Sequence, residues 1–89
     1  MKVIVEKNIS EEKIKELGVK SWPIWECDIS TFDWHYDEKE ACYFLEGSVV
    51  VETDEGNIQF GEGDFVIFSK GLSCKWKVLK PVKKHYKFG

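Results

Sequence analysis

From Val19 onward the side chains repeat with a period of two rather than 3.6, and glycine-centred turns break the pattern at short intervals. Successive side chains of an extended backbone point to opposite faces, so this pattern commits most of the chain to β-strands. Asp54-Glu55-Gly56-Asn57 reads as a hairpin turn, and Gly61-Glu62-Gly63-Asp64 and Lys70-Gly71 bend the chain again. Pro23 and Pro81 are expected at strand ends or edges, because proline cannot donate to a ladder. A small β protein must protect its sheet edges, and antiparallel closure into a sandwich or barrel does so. The expected fold class is therefore all-β.

One short helix is expected near Ser10–Leu17. Ser10 can cap it, Glu11 and Glu12 suit its positive end, and Gly18 stops it. Before it, Met1-Lys2-Val3-Ile4-Val5-Glu6 reads as a strand with no hairpin partner nearby. Pairing across a twofold axis would cover that strand, so a homodimer is expected.

At 89 residues, one domain spanning 1–89 is expected. A chain this short buries roughly 60–65% of its unfolded surface and needs a dense core or a partner subunit. Fifteen per cent aromatic residues, with four Trp and six Phe, supply that density. No apolar run approaches the ~18 residues of a membrane span and no cationic leader precedes one, so a cytoplasmic protein without a membrane partner is expected. The net charge of −3, with signs interspersed, argues against nucleic acid as a partner. All thirteen basic residues are lysine, so the bidentate arginine fork that grips phosphates and carboxylates is missing. Cys27, Cys42 and Cys74 are an odd number without close spacing, which reads as reduced thiols rather than a disulfide framework or zinc knuckle.

Alternation also assigns faces. From Glu40 to Glu46 one face carries Glu40, Cys42 and Phe44, and the other Ala41, Tyr43 and Leu45. From Cys74 to Val78 one face carries Cys74, Trp76 and Val78, with Lys75 and Lys77 opposite. Val82 to Phe88 alternates as an edge strand. There Lys84 shares a face with Val82, Tyr86 and Phe88, although a surface position is the expectation for it.

Two blocks, Glu40-x6-Gly47 and Gly63-x5-Ser69-x-Gly71-x2-Cys74, lie fifteen residues apart. They resemble the end of the first and the body of the second signature motif of the cupin superfamily. The run Phe32 to Glu38, Lys70 to Trp76 and the closing Pro81 to Tyr86 are similar to short single-domain cupins grouped with ureidoglycine aminohydrolase-like and EutQ-like proteins. That resemblance covers about residues 20–88. It implies a jelly-roll barrel of two antiparallel sheets, commonly dimeric, with a small-molecule pocket in the barrel mouth.

Carried over residue by residue, the resemblance puts Glu40 at the cupin glutamate and Cys74 at the second-motif histidine. Ser69 replaces the motif's proline and Val78 its asparagine. The first-motif His-x-His pair becomes Asp33 and His35 in one loop register, or Trp34 and Tyr36 in the other. The first register offers Asp33, His35, Glu40 and Cys74 as a chemically plausible metal set. The second leaves one acid and one thiol, an incomplete cage, so no cofactor is expected. For each residue a blander role competes: a cysteine beside Trp76 can be a small buried hydrophobe, and Glu40 can be held by a Tyr or Trp of the same barrel.

The expected function is binding of a small molecule in the barrel mouth without a tightly held metal. Glu40 is the expected polar anchor, with Trp34, Tyr36, Cys74 and Trp76 around it. The alternative is a metal-dependent enzyme resembling ureidoglycine aminohydrolase, with His35, Glu40 and Cys74 as ligands. A third reading is a non-catalytic subunit that acts through its surface. No nucleophile–base–orienter triad can be assembled, since His35 and His85 are the only histidines.

Overall fold

A computed structural model describes residues 3–89; Met1 and Lys2, the start of the expected opening strand, lie outside the described residues. Among the described residues seven strands carry the fold: β1 (Val3–Glu6), β2 (Ile24–Cys27), β3 (Ser30–His35), β4 (Glu40–Thr53), β5 (Gly56–Gly61), β6 (Phe65–Phe68) and β7 (Ser73–Phe88). The helix α1 spans Glu11–Leu17 and a 3-10 turn follows at Val19–Ser21. Ser10 accepts a hydrogen bond from the Lys13 N–H, and Gly18 closes the helix at φ 68°. Both caps follow from the residue types.

Every strand pair is antiparallel, and the fold is a jelly roll built from the two halves of β4 and β7. Residues 40–43 of β4 pair with β6, which in turn pairs with β1. On their other side they pair with residues 85–88 at the end of β7, a strand whose residues 82–85 pair with β2. Beyond a bulged region, residues 48–53 of β4 pair with β5, and residues 73–78 of β7 pair with β3. Two sheets result, continuous through the same two long strands.

The crossing point explains why those strands bend rather than break. Register shifts fall between Phe44 and Val49, opposite the stretch of β7 that holds Pro81. Gly47 sits at φ 113°, and a Cβ there would lie 2.8 Å from the Pro81 carbonyl and the Val82 Cα. Pro81 was expected at a strand end or edge; instead it lies within β7, which runs through it. A residue without an N–H is tolerated where the ladder is already interrupted by a bulge.

β1, which has no hairpin neighbour, pairs with β6 of the same chain. One further expectation is corrected. The Val82–Phe88 segment is not an edge strand, since it lies between β4 and β2. The periodicity of either segment could not show this, because pairing across 60 residues leaves no local trace.

The core lies between the sheets. Phe68 of the first and Trp76 of the second meet with ring centroids 5.7 Å apart, and Phe60 packs 5.8 Å from Phe68. Cys42, Phe44, Val49, Val51 and Val66 fill the space around them with no exposure to solvent. Asp64 braces the turn before β6, its carboxylate accepting from Lys7 Nζ and the N–H groups of Asn8 and Gly61. Among the described residues no helix is long and apolar enough to cross a membrane.

Candidate functional site

A cavity of about 220 Å³ opens at one end of the sandwich. Its position follows from strand alternation on four strands. Phe32, Trp34 and Tyr36 come from one face of β3 and the residue after it; Glu40 comes from the start of β4. Trp76, Lys84, Tyr86 and Phe88 share the inner face of β7, and Trp25 joins from β2. Trp34 and Phe88, each nearly half exposed, form the rim. Trp76, Tyr36, Glu40 and Lys84 are buried and form the floor.

On that floor sits an ion pair. Lys84 Nζ donates to Glu40 Oε1 at 3.3 Å and Oε2 at 3.2 Å, and the two side chains are only 5% and 6% exposed. A lone charge at this depth is very costly, so each residue is the condition for the other. Aromatic faces complete the cage of the ammonium. Nζ lies 4.8 Å from the Trp76 ring centroid, 4.9 Å from that of Trp25 and 5.8 Å from that of Phe44. Cation–π attraction thus replaces part of the lost water.

The surface position expected for Lys84 is overturned. The face it shares with Val82 and Tyr86 carried the signal. The long side chain can lie along that apolar face and deliver its charge to Glu40.

Tyr36 stands beside the pair. Its hydroxyl accepts from Trp76 Nε1 at 3.2 Å, and its ring stacks on Phe68 at 4.7 Å. Burial first, and then the Glu40 carboxylate, hold that phenol far above the usual tyrosine range, so it stays a neutral O–H donor. Phe32 stacks on the far face of the same cluster, 5.9 Å from Trp76 and 14° from parallel. The chamber is thus lined by flat apolar walls around one pair of opposite charges.

Of the expected site residues, Trp34, Tyr36, Glu40 and Trp76 are brought together here. Cys74 is not among the lining residues. It packs in the core beside Trp76, and burial, with Glu40's charge adding, pushes its thiol up to about 11. Such a thiol stays protonated and unreactive at neutral pH. Trp25, Phe32, Lys84, Tyr86 and Phe88 were not singled out as site residues. Their membership depends on the pairing of β2, β3 and β7 rather than on any motif.

The alternative metal set does not assemble. Asp33 and His35 lie on the opposite face of β3 from Trp34 and Tyr36, toward solvent. His35 Nδ1 is 2.7 Å from Ser73 Oγ, and Nε2 is 3.8 Å from an Asp37 carboxylate oxygen. Glu40 has both oxygens on Lys84. Among the described residues no three His, Cys, Asp or Glu side chains converge on a point that could hold a metal ion. The residues present therefore do not fit the metal centre that the cupin resemblance implies. His85 faces away from the cavity, its Nδ1–H donating to the Trp22 carbonyl at 2.9 Å.

Comparison with known proteins agrees with this architecture. A DUF861-family protein of Thermotoga maritima superposes with a TM-score of 0.94 at 52% identity, covering 99% of this chain and 100% of that one. The EutQ protein of Clostridium difficile shares the fold at a TM-score of 0.68 and 18% identity, over 97% of this chain and 66% of that one. A putative ethanolamine utilization protein Q from Salmonella typhimurium shares it at 0.67 and 20%, over 99% and 69%. No protein of curated function matches the chain. The profile of the EutQ-like cupin domain matches residues 14–86, so this chain belongs to the EutQ-like cupin family.

Proposed function

We propose that this chain is one cupin domain, residues 1–89, that binds a small molecule in its barrel mouth without a tightly held metal. One observation carries the reading: a buried Lys84–Glu40 pair lies on the floor of an open cavity whose walls are aromatic. Pockets that hold metabolites combine apolar lining with a few convergent polar groups, and this one has that composition. Its volume of about 220 Å³ is on the order of seven water molecules, enough to seat one ring. Glu40 and Lys84 would orient the ligand; Trp34 and Phe88 would close over it.

The same reading places the protein in the cytoplasm, with neither nucleic acid nor membrane as a partner. A homodimer keeps a narrower basis than the sequence offered. One edge of β1 is taken by β6, and the other ends the sheet among the described residues, where a second copy could extend it.

Titration of the protein with single-ring compounds, followed through the indole N–H resonances, tests the binding reading. Saturable shifts of Trp25 and Trp34 are expected, and Trp34→Ala should weaken binding about tenfold or more, as loss of an aromatic wall does. If no ring compound moves those resonances at millimolar concentration, the reading fails.

A further inference from the structure

The charges at the cavity cancel. Lys84 and Glu40 supply one of each sign, and the remaining lining side chains are aromatic. A ligand carrying net charge would therefore leave one charge uncompensated and away from water. A cation would be drawn to the faces of Trp25 and Trp76, but the Lys84 ammonium already stands 4.9 and 4.8 Å from them. An anion would meet Glu40 within the same pair.

A neutral ligand with a donor and an acceptor on adjacent atoms faces neither penalty. The ammonium offers three N–H donors and the carboxylate about four acceptor sites, so the pair keeps capacity beyond its own bridge. Nζ and Oε2 lie 3.2 Å apart, a separation that one planar group can span from its edge. A primary carboxamide or a ring amide presents N–H and C=O on one edge in one plane, and its ring can lie toward Trp34 and Phe88 at the rim.

We infer that the barrel mouth takes a neutral, flat, single-ring amide, a carboxamide or a lactam. Its N–H would go to Glu40 and its carbonyl to Lys84. The inference rests on the proposed binding function and names the ligand class of that site.

Calorimetric titration of the protein with benzamide, benzoate, benzylammonium and anisole tests it. These share a ring and differ in charge and in the amide. Benzamide should bind at least about tenfold tighter than each of the others. Single variants then shift the balance. E40Q leaves the lysine unpaired and should turn preference to benzoate by about tenfold; K84M leaves the acid in an aromatic cage and should turn it to benzylammonium. If benzoate, benzylammonium or anisole matched benzamide on the unaltered protein, amide recognition would be overturned while the binding pocket stood. If no ring compound bound, both would fall. Should both variants fail to fold, the comparison on the unaltered protein still decides.

Discussion

Lys84 Nζ reaches Glu40 at 3.2 Å although the two residues are not cross-strand partners. The Cα partner of Lys84 on β4 is Phe44, and that of Glu40 on β7 is Phe88. The two charges thus meet on a diagonal, offset by four residues along β4, with each side chain leaning toward the other. Val82, Lys84 and Tyr86 line one face because of alternation, and the long lysine stem lies along it.

Removing one partner should be far worse than removing both. Lys84→Met leaves a buried carboxylate without a counter-charge and should cost about 3–5 kcal/mol in urea denaturation. Combining it with Glu40→Leu should recover most of that loss, because an apolar pair of similar volume needs no solvation. A single variant within about 1 kcal/mol of the parent would show that water reaches the pair more freely than its burial implies.

Gly47 should tolerate no side chain. Its φ of 113° is strained for other residues, and a Cβ would sit 2.8 Å from the Pro81 carbonyl. Gly56 has a similar φ of 121° but nothing within 4 Å of a Cβ. Gly47→Ala should therefore lose more stability than Gly56→Ala, by about 2 kcal/mol or more, since the second carries backbone strain alone. Equal losses for the two would mean that β4 and β7 can separate at their crossing without cost.

Alkaline pH should destabilise the fold through its thiols. Burial holds Cys42 well above the ordinary range and Cys74 at about 11. Unfolded cysteines ionise near 8.5. Above that pH the unfolded state has lost protons that the native state retains, so stability declines as pH rises. Stability from this source is complete below about pH 8.5, and the Cys74 share is lost by about pH 11. Urea midpoints measured across that interval should fall, and Cys74→Ala should flatten the fall. Midpoints that held steady or rose would contradict the burial of these groups.

How much of the fold was legible differs by element. The helix declared itself through Ser10 and Gly18, because capping is a contact between near neighbours. The turns at Gly56, Gly63 and Gly71 declared themselves for the same reason: each sits at positive φ where glycine is favoured. The inner faces of β4 and the first half of β7 were readable from alternation, and Glu40, Cys42, Phe44, Cys74, Trp76 and Val78 are buried as it required.

The candidate site was legible only in part, and the division is physical. Trp34, Tyr36, Glu40 and Trp76 could be gathered because motif spacing and period-two patterning act within a strand. Whether Trp34 and Tyr36 or Asp33 and His35 face inward depended on the register of β3 against β7. There Trp34 stands opposite Cys74 and His35 opposite Ser73. The pairing of β1 with β6, the passage of β7 through Pro81 and the meeting of Lys84 with Glu40 are long-range events. Local composition sets which residues seek burial; only the pairing of distant strands decides which charges are buried together.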